Sequence, residues 1–424
     1  MQKDIIIIGG GISGLTAANY LEDFGWKPMI IEATGRVGGR VKTDQHEGFL
    51  LDRGFQVFLT AYPEAKHLLD YEALNLQNFS PGALILKENG NKDLISDPMR
   101  DISTLFSTVF AQVGSFSDKL KMLSLKNKVK NKNVESIFEG ENKSTIKYLR
   151  DFGFSEEMIN SFFAPFFGSI FLEKDLKTSR KMFEFVFKMF SEGFAALPKD
   201  GIGQIPVQLK SKLNLTEIKY NERVTHIENN KVYTNKNECY EAKAVLIATE
   251  AIGLVRNYKK DINVKYQGTS VMYFSAEKSP IKGKYVALNA SKSKLINNIS
   301  VPSNVSSAYA PSGKHLISLS TIGLAQDGQE EYLTAIKNEM KTWFGEQVNA
   351  WKYLKTYHIP YSLANQENVS YNIDKQSVII GENLYMCGDS FSNSSLNAAM
   401  KSGRIAAEVI SEKLKVKSDI LTKN

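Results

Sequence analysis

Residues 4–41 read DIIIIGGGISGLTAANYLEDFGWKPMIIEATGRVGGRV. The β-branched run at 4–8 has the composition of a strand buried on both faces. Gly9, Gly11 and Gly14 follow at the spacing G-x-G-x-x-G. From 12 to 24 the pattern turns helical, with Leu15, Ala18 and Leu21 on one face, and 27–31 reads as a second buried strand ending at Glu32. Strand, glycine turn, helix, strand and acidic residue, within about thirty residues, is the context in which this spacing signals dinucleotide binding. Gly9 permits the tight turn, Gly11 lets a pyrophosphate approach the backbone, and Gly14 lets the helix pack on the strand. The helix N-terminus, with Ser13 in its first turn, offers N–H groups and a positive dipole end to phosphates. Glu32 can accept hydrogen bonds from ribose hydroxyls, and its charge argues against the 2′-phosphate of NADP. The fingerprint alone does not separate NAD from FAD.

The chain has 424 residues, 42% apolar and 23% charged, with a net charge of +7. That length exceeds the size at which single cores stop growing, so two domains are expected. The excess charge is mostly lysine and reads as a solvated surface. Attraction of the basic stretch 119–133 to an anionic membrane stays open as the alternative. Cys239 and Cys387 are far apart and show neither metal-ligand spacing nor a disulfide framework, so no metal is expected and a cytoplasmic setting fits. No apolar run approaches the ~18–20 residues of a membrane span. No nucleic-acid partner is expected, and the oligomeric state is open.

The residues after the second strand narrow the cofactor. Glu32, Ala33, Arg36, Gly38, Gly39 and Arg40 form E-A-x-x-R-x-G-G-R. This resembles the FAD-dependent amine oxidase superfamily, which includes monoamine and polyamine oxidases, protoporphyrinogen oxidases and phytoene desaturases. The resemblance implies that Arg40 pairs with the FAD diphosphate and that Arg36 lies near the adenosine end. In 49–57, FLLDRGFQV, it sets Gly54, Phe55 and Gln56 beside the flavin ring, although a plain strand–turn–strand reads equally well. It brings Val224 to the adenine through its backbone and Thr249 near the cofactor. The segment 383–411, NLYMCGDSFSNSSLNAAMKSGRIAAEVIS, is similar to the family's closing motif. There Gly388 lets the backbone approach and Asp389 would take a ribityl hydroxyl. A helix starting near 395–396 would aim its first residues, Leu396, Asn397 and Ala398, at the flavin N1–C2=O edge. In 351–363, WKYLKTYHIPYSL, the resemblance makes Tyr357, His358 and Tyr361 candidates for the wall of the substrate site. No Cys falls in that segment, so FAD is expected to be held non-covalently.

The expected fold class is α/β: a doubly wound, Rossmann-like FAD-binding domain of the glutathione-reductase type with a second, α+β substrate domain. The FAD blocks fall at 1–85, 200–265 and 366–412. The substrate domain then takes 86–199, largely helical, and 266–365, read as an antiparallel sheet, and 413–424 is a polar tail. No second G-x-G-x-x-G and no C-x-x-C pair announces a nicotinamide domain. The Phe-rich stretch 152–194 is either a helical core or the lining of an apolar chamber. The resemblance implies hydride transfer from a C–C or C–N bond of a bulky apolar molecule to flavin N5, with oxygen or a quinone as the electron acceptor. An amine oxidase, or a flavin-binding protein without turnover, remains as the alternative.

Overall fold

The computed structural model describes residues 2–95, 114–250, 254, 257–258, 264–291, 295–325 and 330–421. The stretches 96–113 of the expected substrate domain, and 251–253, 255–256 and 259–263 of the expected FAD domain, lie outside the described residues.

The first strand, Lys3–Ile8, is the centre of a parallel sheet. It pairs with Pro28–Ile31 on one side and Cys239–Ile247 on the other. Glu217–Lys219 and Leu384–Met386 extend the sheet at its two ends, also in parallel. Ile5, Ile6 and Ile7 are fully buried because helices cover one face and an antiparallel ribbon covers the other. That ribbon, Val224–Glu228 and Lys231–Thr234, turns at Asn229-Asn230, both with positive φ, as the sequence predicts.

The helix Ile12–Asp23 returns across the sheet and packs against the last helix, Leu396–Leu421. Trp26 Nε1 donates to Ser411 Oγ (3.0 Å) at the far end of this pair. Gly14 is required by contact: a Cβ there would lie 2.1 Å from the Gly9 carbonyl oxygen. The last helix continues to Leu421, through most of the segment expected as a polar tail. Its buried side chains reach Leu414, so apolar packing persists past the motif.

A second sheet has seven strands, in the order Lys352–Ala364, Tyr266–Ala276, His315–Ile322, Ile296–Ser300, Val286–Asn289, Ala83–Leu86 and Lys92–Ile95. All its pairings are antiparallel except that between Val286–Asn289 and Ala83–Leu86. The boundary expected at residue 85 therefore needs correcting, since Ala83–Leu86 lies wholly in this sheet. The boundary expected at 199 shifts too, because Ala195–Pro198 pairs with Phe58–Leu59 and Leu76–Asn78. Both displacements come from pairings between residues more than a hundred positions apart, which local pattern does not carry.

Helix Glu330–Phe344 covers one face of the seven-stranded sheet through Ile336, Met340 and Trp343. The other face looks toward the parallel sheet across a cavity. Helices Ala164–Phe171 and Arg180–Glu192 close its side. A π-type turn at Ile159–Phe163 leads into the first of them.

Candidate functional site

Between the two sheets lies a cavity of about 1020 Å³. Most residues singled out from the sequence meet on it: Gly9, Gly11, Ser13, Glu32, Gly38, Gly39 and Arg40 at one end; Gly54, Phe55 and Gln56 along it; and Val224, Thr249, Gly388, Asp389 and Leu396 from the later segments.

The glycine turn and the second glycine pair are locked together. Gly38 N donates to the Gly10 carbonyl (2.8 Å), and Gly11 forms a parallel bridge with Gly38. Gly11 itself has an ordinary extended backbone (φ −77°), and a Cβ there would meet only Gly39 Cα, at 3.9 Å. Neither conformation nor packing within the protein demands glycine at 11; the cavity wall does. The helix starting at Ile12 has no side-chain cap, so its first N–H groups face this end of the cavity without a side-chain acceptor. Such an end suits a phosphate.

Glu32 is buried and its carboxylate is held in place. Oε2 accepts from Gly10 N (2.8 Å), and Oε1 accepts from Thr34 N (2.9 Å) and Thr34 Oγ1 (2.7 Å). Arg40 joins the two ends of the chain. It donates to Asp389 Oδ1 (2.6 Å) and to the Ser362 carbonyl (3.1 Å), and forms an ion pair with Glu250 (2.5 Å). Burial pushes Glu250 up to about 7, with Arg40 opposing and Asp389 reinforcing the shift. Near neutral pH this carboxyl is therefore partly protonated, which lowers the negative charge around the guanidinium. Cys387 also lines the cavity; burial raises its thiol pKa, so it is no thiolate nucleophile.

Several expected residues are placed elsewhere. Arg36 turns away from the cavity to Asp44 and the Thr43 carbonyl. Gly14, Asn397 and Ala398 do not line the cavity; Asn397 Oδ1 accepts from Glu64 N (3.0 Å), tying the last helix to the segment after Tyr62. The three wall candidates also lie off the lining. Tyr357 donates to Asp44 Oδ2 (2.7 Å), His358 bonds Ser270 Oγ (2.9 Å), and Tyr361 is half exposed against Tyr266. Their strand slips register between Ile359 and Leu363. This irregularity turns Ile359, Ser362 and Leu363 inward and Tyr361 outward. Ser394 and Ser395, ahead of the last helix, and Tyr266 also line the cavity; short polar residues in a loop and one tyrosine in a strand carried no signal in sequence.

The apolar end comes from the Phe-rich stretch, which serves both purposes read from the sequence. Phe162, Phe166 and Phe190 line the cavity, while Phe163, Phe167, Phe183 and Phe187 are buried in the core behind them. Phe194 falls after its helix and is exposed.

Asp52, just before the flavin-side turn, is fully buried. It accepts from Thr43 Oγ1 (2.5 Å), Tyr309 OH (2.7 Å) and Ile202 N (3.1 Å), and so ties three chain segments behind the cavity. Burial raises its pKa from 3.8 to about 6 despite these hydrogen bonds. A carboxyl raised on folding contributes stability that is full below its unfolded pKa and lost as pH rises through the folded one. Between about pH 4 and pH 6 this group should therefore remove roughly 3 kcal/mol. Urea denaturation of Asp52→Asn and the parent at pH 4 and pH 7 checks this, with the parent's advantage over the variant expected to shrink at pH 7.

The parallel sheet with its glycine turn, set against an antiparallel wall across one long cavity, defines a two-part dinucleotide-cofactor protein. The family model for flavin containing amine oxidoreductase matches residues 12–411, and the chain belongs to that family. It is 29% identical over 169 residues to protoporphyrinogen oxidase 2 of Arabidopsis thaliana, which covers 39% of this chain and 32% of that protein. It is 30% identical over 125 residues to coproporphyrinogen III oxidase of Bacillus subtilis, which covers 27% of this chain and 26% of that protein. The chain thus aligns with about a third or less of the length of these relatives. Among solved structures, an oxidoreductase from Methanosarcina mazei superposes with a TM-score of 0.70 at 17% identity, over 96% of this chain and 100% of that one. Cyclohexylamine oxidase from Brevibacterium oxydans does so with 0.70 at 15%, over 98% and 100%. At these identities the superpositions speak for the fold. No helix of the described residues is long and apolar enough to cross a membrane.

Proposed function

We propose that the protein holds FAD non-covalently and oxidises a bulky, mostly apolar small molecule at a C–C or C–N bond. The observation that carries this reading is a single cavity, walled at one end by the glycine turn and Arg40 and at the other by Phe162, Phe166 and Phe190. The flavin, when bound, would supply the hydride-accepting N5, with oxygen or a quinone as the acceptor of its electrons. The rest falls to the chain. The backbone at Gly11 and Ser13 takes the diphosphate, with Arg40 as its counter-charge. Glu32 would take the ribose hydroxyls, and Gly54–Gln56 and Leu396, which line the same cavity, would hold the ring. The phenylalanines exclude water and orient the apolar body.

Purified protein should carry visible flavin bands that are released on denaturation. Anaerobic addition of porphyrinogens or carotenoid precursors should bleach them. The family's amine oxidoreductases favour a second reading, a flavin amine oxidase, and bleaching by amines alone would establish it instead. If every candidate leaves the bands unchanged, the protein binds FAD without turnover. Rapid bleaching by NADH alone would refute the electron flow proposed here.

A further inference from the structure

A row of mutual strand partners crosses the seven-stranded sheet, Ile85, Leu288, Asn298, Ser320, Val271 and Tyr357, and its middle members Leu288, Asn298 and Ser320 line the cavity. Residues opposite one another in a sheet share a face. Four of the six are aliphatic or aromatic, and of these Leu288 lines the cavity. The two in the middle are polar, adjacent, each only 1% exposed, and both line the cavity.

Their hydrogen-bonding capacity is only part used. Asn298 Nδ2 donates to Ser169 Oγ (2.7 Å), on the helix that closes the chamber. This bond holds the amide nitrogen, and the carbonyl oxygen is left buried. Asn298 Oδ1 and Ser320 Oγ have no hydrogen-bond partner in the protein. A buried polar atom without a partner is costly, and a pair of them on the wall of a cavity calls for an occupant. The surroundings define its charge. Among the described residues, every charged side chain on the cavity belongs to 32–53, 222–250 or 389. The two closing helices and the seven-stranded sheet contribute none. An ionised group would lack a counter-charge beside Asn298 and Ser320.

We infer that Asn298 and Ser320 form a polar subsite for a neutral hydrogen-bond donor, of the hydroxyl class, carried by an otherwise apolar substrate. This rests on the reading of the cavity as a substrate chamber and narrows the substrate class. The donor bonds Asn298 Oδ1, and Ser320 completes the contact from the neighbouring strand. The pair thereby selects which end of an elongated molecule enters first.

Calorimetric titration of the FAD-loaded protein with naphthalene, 2-naphthol and 2-methoxynaphthalene tests the subsite. 2-Naphthol should bind about tenfold more tightly than either of the others, the effect of one or two net hydrogen bonds. Asn298→Leu should abolish the preference while keeping or improving naphthalene affinity, and Ser320→Ala should reduce it about threefold. An unchanged flavin content shows that each variant is folded. The inference is overturned if the three probes bind equally, if none binds, if 2-methoxynaphthalene matches 2-naphthol, or if both variants keep the parent's preference. Bleaching experiments report on the oxidation chemistry separately. A naphthol preference without turnover by any substrate would spare the subsite and remove the oxidase, and turnover without the preference would do the reverse.

Discussion

Arg40→Ala is expected to yield a colourless protein. In the structure this guanidinium stands among Asp389, Glu250 and the Ser362 carbonyl, and lines the end of the cavity reached by the glycine turn. Its removal acts twice. Asp389 and Glu250 are left as neighbouring carboxyls without their cation. Breaking a fully buried ion pair from one side costs roughly 3–5 kcal/mol; with Arg40 a third exposed, about 2–3 is expected here. Affinity for FAD should fall as well, by about 10- to 100-fold, the effect of losing a charge-assisted contact to the diphosphate. Arg40→Lys restores the charge but not the fork and should fall between. Urea denaturation of the apoprotein and titration with FAD separate the two effects. Stoichiometric FAD in Arg40→Ala would show that the diphosphate is held elsewhere.

A pair of glycine variants should part fold from cofactor binding. At Gly11 a side chain points toward the cavity and meets almost nothing of the protein. Gly11→Val should therefore keep its far-UV circular dichroism and lie within about 1 kcal/mol of the parent apoprotein, yet fail to take up FAD. At Gly14 a Cβ collides with the Gly9 carbonyl at the sheet's central strand. Gly14→Val must push the first helix off the sheet and should cost about 3 kcal/mol or more. If Gly11→Val loads normally, the turn is not where the diphosphate lies. If Gly14→Val is as stable as the parent, the close approach of helix and strand has been misread.

What the sequence could tell differs from one part of the site to another for physical reasons. The Gly9–Glu32 unit is legible because strand, turn and helix are local, and each announces itself by its own period. Arg40 and Asp389 could be placed, but their bond to each other spans 349 positions and leaves no periodic trace. Arg36 shows how a motif can locate a loop without aiming a side chain, since Asp44 lies eight residues on and captures it. Tyr361 lies off the lining because a slip of register after Ile359 turns it outward, whereas Tyr357 and His358, in regular register ahead of that slip, bond Asp44 and Ser270. The Asn298–Ser320 pair was invisible for a different reason. INNIS, the strand Ile296–Ser300, reads as a half-polar, surface-like run, yet all five of its residues are buried. Polar residues in a strand suggest solvent until the fold shows a chamber beside them.

The Arg40–Asp389 bond and the packing of the last helix on the first also bear on how the molecule is made. During synthesis the glycine turn emerges well before the carboxylate and helix that complete the cradle, since Arg40 precedes Asp389 by 349 positions. On the proposed reading flavin capture therefore waits for those later segments, and until then the apolar faces of Ile12–Asp23 and the phenylalanine helices need shielding by other means. A premature stop near residue 385 would thus remove Asp389 and the last helix and give a polypeptide unable to retain the coenzyme and marked for degradation.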